Sequence, residues 1–355
     1  GLFTNYYING TTKSYGWYDA NLLNDDWITF NEKGKIQSRT TYLNDEVVGI
    51  KESYFPDGKL DDEEEYENGW LKAIHQYDSL SKKIHTSQFK NGNGAIKYVH
   101  LNGQKRIEGT YVQGEYDGVF KGYFFDGKLS YVKSYAKGIL QGDYTEYFHN
   151  GQVALSGKYK DGEAWGTWKY YTVQGKMWKE ETYVNGQKEG KIIYYHPNGK
   201  VDREIEFIGG AYHGTFKRYA DDGQLAHVFY YKNDEVTGYT YADKNGQLLP
   251  VKPLAGGNGK VRTFFSTGEL SAEMEYEAGK LIGNYKLYFP SGKLYYFTQE
   301  VYSHTHGMLK EYYTNGNLKK EIPYFWNNED GHYKEYHENG KLKEEGYYYN
   351  GYQHG

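Results

Sequence analysis

Three sets of side chains in this sequence have types and spacings that could do chemistry. Asp61-Asp62-Glu63-Glu64-Glu65 is an acidic run able to hold a cation or a basic partner. His304 and His306 have the spacing of two metal ligands on one strand face. Trp165, Trp168 and Trp178 cluster in one short stretch, and exposed rings of this kind stack on sugars or form protein hot spots. Each set also has a plainer reading. Sister segments carry Lys and Glu where the acidic run lies, which makes it a solvated strand face. The His pair lacks a third ligand and falls in a turn. Trp168 occupies a position shared with Phe120, Tyr144, Phe216, Tyr285 and Tyr333, which assigns it to the core. Trp165 and Trp178 lie off the repeated aromatic positions and are the surface candidates. Catalysis needs a unique, water-shielded constellation, whereas nearly every polar type here recurs at a fixed phase. We therefore expect no enzyme, with no catalytic, cofactor-binding or metal-binding residue.

The phase belongs to a 24-residue repeat that runs from end to end. With glycine as position zero, the copy at Gly166 has Trp168 at +2, Tyr171 at +5, Gly175 at +9, Met177 at +11, Tyr183 at +17 and Gly186 at +20. Opening glycines recur at Gly94, Gly118, Gly142, Gly190, Gly214 and Gly238, and again at Gly259, Gly283, Gly307 and Gly331. Extended backwards, the frame lands on Gly49, on Asp25 in place of a glycine, and on Gly1. Thirteen units of 24 residues and two degenerate units of 21, at 73–93 and 238–258, make residues 1–355 a single array, with Gly355 opening a further copy.

Each unit offers two strands. Between them lie turns such as His196-Pro197-Asn198-Gly199 and Phe289-Pro290-Ser291-Gly292, where Pro presets the first corner and Gly takes the positive φ that follows. In the second strand the pairs Leu60/Tyr66, Met177/Tyr183 and Leu342/Tyr348, at +11 and +17, share one face. In the first strand the rings at +2 and +5 differ in parity, so either a bulge intervenes or the +5 ring belongs to the turn. The expected fold is an all-β, elongated, single-sheet antiparallel meander of about fifteen hairpins, a ribbon on the order of 140 Å long if straight. The most irregular stretch, 247–259, holds Pro250 and Pro253; two prolines so close cannot occupy a central strand, so the ladder must bend, bulge or open there. Trp165, Trp178, Pro250 and Pro253 are the candidate partner-binding surface.

Composition narrows the function classes. Tyr contributes 43 of 355 residues and must supply much of the buried area, while 45 Gly and six Pro mark turns. A net charge of −5, from 47 acidic and 42 basic residues, gives no reason to expect nucleic acid and little attraction for anionic membranes. The absence of Cys excludes disulfides and thiolate catalysis. No apolar run reaches about 18 residues, as a spanning helix would need. The chain begins at Gly1 rather than Met, and Phe3, Tyr6, Tyr7 and Tyr347-Tyr348-Tyr349 lie near its ends without polar caps; we expect either further sequence or a partner covering an exposed sheet end.

The segment Tyr183-Val-Asn-Gly186-Gln-Lys-Glu-Gly190, followed by Ile192, Tyr194-Tyr195 and Asn198-Gly199-Lys200, resembles the MORN repeat, and more closely its bacterial variant. The 24-residue period and the +11/+17 pair depart from the ordinary motif. The resemblance implies a repetitive antiparallel β-sheet used as a protein scaffold; many bacterial relatives carry an antitoxin label. The expected function is a non-enzymatic scaffold binding a protein partner in a bacterial envelope or extracellular assembly. The alternatives are a carbohydrate or cell-wall binder, with a glycan as ligand, and an antitoxin or immunity protein masking a toxin.

Overall fold

The computed structural model describes residues 1–354, and Gly355, expected to open another copy, lies outside them. A regular unit shows how the sequence becomes structure. Strands Gly190–Tyr195 and Val201–Ile208 pair antiparallel, with Gly190 opposite Phe207 and Tyr194 opposite Arg203. The connecting turn closes through His196 N to Lys200 O at 2.8 Å and Gly199 N to His196 O at 2.8 Å. The next reversal is tighter: Asn185 and Gly186 have φ of 48° and 70°, the two positive values of a type I′ hairpin turn, which only Asn, Asp and Gly adopt cheaply.

The opening glycine lies inside a strand or at its start, and not in a turn. Gly118, Gly142 and Gly166 take φ of 80°, 89° and 68° within strands Glu115–Tyr123, Ile139–Tyr147 and Glu163–Tyr171. This left-handed residue is a built-in bulge, the usual reason for glycine there. Asp25 stands in the same frame at φ 69°, so the copy that lost its glycine kept the conformation. On the parity question, the +5 ring is the last residue of its strand, opposite a second bulge: the register shifts between Tyr194 and Tyr195, and between Tyr170 and Tyr171, with the extra residue, Asp202 or Trp178, on the partner strand.

Contacts divide the chain into two compact units, residues 1–165 with 173–175, and 166–172 with 176 onward. In the first, strands Leu2–Tyr6 through Lys83–Gln88 form an eight-stranded antiparallel ladder in sequence order, and a separate ladder starts at Gly94–Val99. In the second, one ladder runs from Met177–Val184 to Lys252–Pro253 and another starts at Gly259–Phe264. The expected single sheet is therefore corrected: pairing is interrupted in both 21-residue units. The missing residues remove the bulge, since Ala73, Gly94 and Gly238 are all outside the left-handed region. At Gly94 the backbone instead approaches its neighbour so closely that a Cβ would stand 2.8 Å from the Gln88 carbonyl oxygen.

Aromatic rings fill the inner face. Tyr111, Tyr116, Phe120 and Tyr135 follow one another at centroid distances of 4.9, 4.7 and 5.1 Å, edge to face, the geometry ring quadrupoles favour. Trp168, placed in the core by its phase, is 4% exposed. The tyrosine hydroxyls end on carboxylates: Tyr66 on Glu64 at 2.9 Å, Tyr288 on Glu273 at 2.7 Å, Tyr333 on Glu344 at 2.6 Å. This pairing is the physical reason for the joint abundance of Tyr and Glu. It also corrects the solvated reading of the acidic run, whose residues are half-buried. Glu64 also accepts from Lys51 at 2.9 Å, Glu65 meets His75 at 2.9 Å, and Asp62 and Glu63 accept from Ser53 and Tyr77.

Successive hairpins are stitched at their turns as well. Asn102, Asn150, Asn198 and Asn315 each donate a side-chain amide hydrogen to a carbonyl 23 residues on, at 2.6 to 2.9 Å. Each of these amides serves the neighbouring repeat, which adds to the strand pairing and ring contacts that couple the copies.

Candidate functional site

In the second unit the two ladders meet face to face beside the proline stretch. Thr240 Oγ1 donates to Leu249 O at 2.6 Å and Leu254 N to Thr237 O at 3.0 Å, tying the irregular chain to its own ladder. Pro253 lies on the two-residue edge strand Lys252–Pro253 opposite Gly238, where its missing N–H costs no ladder bond. A 3-10 turn, Ala255–Gly257, with Gly256 at φ 60°, then starts the next ladder. Phe229, Tyr239, Leu254, Val261, Met274 and Tyr276 pack into one core cluster across the junction. Ser271 Oγ donates to Ala226 O at 2.8 Å, a buried bond between the faces.

Beyond this core the two faces enclose a cleft. Each contributes a row at the same phase of its repeats. On one ladder Tyr194, Arg203, Arg218 and His227 stand opposite one another in turn; on the other the row is Leu287, Tyr296 and Glu311. The main chamber, about 390 Å³, is lined by Arg203, Arg218, His227, Tyr285, Tyr295, Tyr296 and apolar residues including Phe216, Met274 and Leu281. A second chamber of about 360 Å³, walled by Pro197, Tyr219, Phe265, Phe289 and Tyr313, shares Arg218, Leu287 and Tyr295 with the first. Both volumes fall in the range of ligand sites.

The electrostatics of the cleft are uneven. Asp202 lies 3.5 Å from Arg218, 3.7 Å from Arg203 and 3.7 Å from His196, yet its Oδ1 is buried without a hydrogen bond. Arg203 lies 4.0 Å over the Tyr194 ring, a cation–π contact. Burial opposes the charge on Arg218, but the surrounding Tyr285, Asp202, Tyr295 and Tyr296 outweigh it and hold the guanidinium protonated. His227 is 1% exposed, with Nδ1 unpartnered; burial first, and Arg218 second, push its pKa down to about 3. It is a neutral imidazole at physiological pH. Glu311 is met by Lys319 at 3.4 Å, so the chamber carries a positive balance. Burial raises the Tyr285 and Tyr296 hydroxyls, which stay protonated and available as donors.

The four residues picked from sequence lie elsewhere. Trp178 is 40% exposed, flanked by Tyr170 at 5.7 Å and Tyr194 at 6.3 Å. Trp165, in the first unit, is half-buried with Lys160 Nζ 4.6 Å over its ring. Pro250 and Pro253 are exposed, on the segment that ends the ladder and brings the next one back. None of the four lines the cleft. Sequence reasoning marked the hinge and missed what the hinge encloses. A usable signal was present: the row positions hold basic or imidazole side chains, Arg203, Arg218 and His227, in the copies just before the short unit. Among the described residues no group of three His, Asp or Glu is placed to hold a metal ion. His304 and His306 both pack on Trp326, at 5.5 and 5.4 Å, and His304 lies in the short strand His304–Thr305 and not in a loop.

With hairpin, bulge and ladder described, the family can be stated. Residues 47–68, 140–161, 188–208, 212–233, 305–327 and 329–350 match the model of the MORN repeat variant. The chain carries MORN-variant repeats. The six matches cover regular copies and leave out the two short units, as the loss of the bulge there leads one to expect. No curated protein matches this MORN-variant chain. Among solved structures, similarity is found to the TcdB2-TccC3-Cdc42 crystal structure, at 10% identity over 98% of this chain and 26% of that one, with a TM-score of 0.17. The TcdB2-TccC3-TEV structure matches at 12% identity over 98% and 19%, also with a TM-score of 0.17. The Photorhabdus luminescens Tc holotoxin pore matches at 11% identity over 93% and 23%, with a TM-score of 0.13. This chain thus spans about a quarter or less of those chains, and superpositions so poor carry no functional inference.

Proposed function

We propose that this MORN-variant array is a non-enzymatic scaffold for protein–protein interaction, serving a bacterial envelope or secreted assembly, and that its second unit docks the partner at the cleft. The observation that supports this reading is the state of the polar groups in the cleft. Asp202 Oδ1 and His227 Nδ1 are buried there without a hydrogen bond, beside the Arg218 guanidinium 3.5 Å from Asp202. Buried groups left unsatisfied cost stability, and a bound partner offsets that cost. Many weak contacts along a rigid ribbon add affinity without a large pocket.

The test is a native pull-down with the chain and with its Leu281→Trp variant, which fills the main chamber. A stoichiometric protein held by the wild type and released by the variant is the expected outcome. A protein held equally by both would move docking away from the cleft, and a partner on the exposed Trp178 face would then be the alternative. A glycan reading has one observation in its favour, the tyrosine walls of both chambers; retention of glycan with no protein would put it first.

A further inference from the structure

Resting on that reading, we infer that the cleft recognises the carboxyl terminus of its protein partner, with the terminal carboxylate on Arg218 and the last side chain in the main chamber.

The unsatisfied groups decide the class of ligand. Arg218 presents a guanidinium, with five N–H donors, where the two chambers join. Its neighbour Asp202 is 3.5 Å away and makes no hydrogen bond through the facing Oδ1, so that carboxylate does not take up the guanidinium donors. Guanidinium and carboxylate match in a planar two-point contact. An anion alone would leave Asp202 Oδ1 and the ring nitrogen of His227 unused. A terminal residue brings both signs within one short fragment: a carboxylate that accepts, and a main-chain N–H that donates to an acceptor such as Asp202 or the neutral His227. The chamber wall supplies the third element. Phe216, Phe229, Met274 and Leu281 offer apolar surface to a side chain, which excludes a bare inorganic anion as the best fit. The second chamber, reached past Arg218, Leu287 and Tyr295, has room for the preceding residue. Recognition of terminal carboxylates is a recurring peptide-binding mode, and here the donor is a single buried arginine and not a backbone loop.

Charge balance agrees. His227 is neutral and Glu311 is met by Lys319, leaving Arg203 and Arg218 against Asp202. One negative charge brought in by the ligand restores neutrality within the cleft.

The experiment exposes the immobilised full chain to a pool of octapeptides with the last two positions randomised, as free acids and, separately, as carboxyl-terminal amides. Bound peptides are read by mass spectrometry. Free acids ending in apolar or aromatic residues are expected to be enriched at least tenfold over their amides. Arg218→Gln should abolish the difference, Arg218→Lys should retain part of it, and both variants should keep the wild-type circular dichroism. If Arg218→Gln is misfolded, Leu281→Trp supplies the same test by closing the chamber. Equal retention of acids and amides overturns the inference; if Leu281→Trp still releases the cellular partner, the docking reading survives without it. Loss of neither peptide nor partner on filling the cleft overturns both. Benzoate binding as tightly as the best peptide would show a site for small carboxylates and would also overturn it.

Discussion

The two short units, 73–93 and 238–258, share a lesion and differ in what fills it. Each is three residues shorter than a regular copy, and in each the ladder stops and a new one starts. The first packs an apolar core of Leu71, Ile74, Phe89, Ile96 and Phe120, with Ile74 1% and Ile96 2% exposed, and its own chamber of about 290 Å³ also holds Asp61, Gln76, His100 and Arg106. There, among the described residues, no buried side-chain polar atom lacks a partner: Gln76 accepts from Val99 N at 2.7 Å and donates to its O at 3.5 Å. The second encloses arginine, aspartate and imidazole with hydrogen-bonding capacity to spare. The difference teaches that breaking the repeat makes a corner, while the side chains chosen for the corner make either a joint or a site.

Substitutions sharpen the comparison. The largest expected effect is Ile96→Ala in the first corner, a loss of about 3 kcal/mol read by urea unfolding, from lost burial plus the cavity left behind. Arg218→Met in the second corner should cost about 1 kcal/mol, well below the several kcal/mol of stranding a buried charge, because Asp202 keeps Arg203 and His196 beside it. A large loss for Arg218→Met would make the second corner a joint like the first. Next comes Gly94→Ala, whose Cβ would crowd the Gln88 carbonyl and cost about 2 kcal/mol, against about 1 kcal/mol for the open but left-handed Gly118→Ala.

The pH response separates corner from ribbon. Tyr183 and Tyr288 have hydroxyl pKa values raised to about 12, burial first and the carboxylates of Glu181 and Glu273 next. Raised groups stabilise the fold below their unfolded value of about 10, and that stability is lost as pH rises from about 10 to about 12. His227 runs the other way: its value is lowered to about 3, so its contribution is present above about 6.5 and falls as pH drops towards 3. His227→Asn should flatten the acid limb of the stability profile and leave the alkaline limb unchanged. A small effect is expected of Asn198→Ala, which removes the 2.6 Å bond to Asp221 O and should cost about 0.5–1 kcal/mol.

Much of this was legible in the sequence, for reasons that are themselves local. Turn residues such as Pro197-Asn198-Gly199 and inward rings such as Trp168 and Tyr183 declare themselves by type and phase. Position zero was read by residue and not by conformation, and there the sequence misled in both directions: Asp25 lacks the glycine and keeps the bulge, while Gly94 and Gly238 keep the glycine and lose it. The cleft was illegible because its walls come from copies that a periodic reading treats as equivalent. Arg218 and Leu287 occupy the same phase, and what sets them face to face is the reversal at Pro250–Pro253, a long-range event. Trp178 was picked for being off-phase, which made it exposed without making it part of the cleft.

The 23-residue reach shared by the turn amides of Asn102, Asn150, Asn198 and Asn315 has a genetic corollary. A duplication or deletion of one whole copy, cut anywhere, restores the same stitch, whereas any other length leaves an amide facing the wrong carbonyl. The array can therefore be lengthened or trimmed in fixed increments by unequal recombination while the copies around Arg218 stay in step, which makes the number of regular repeats an adjustable trait and the cleft a fixed one.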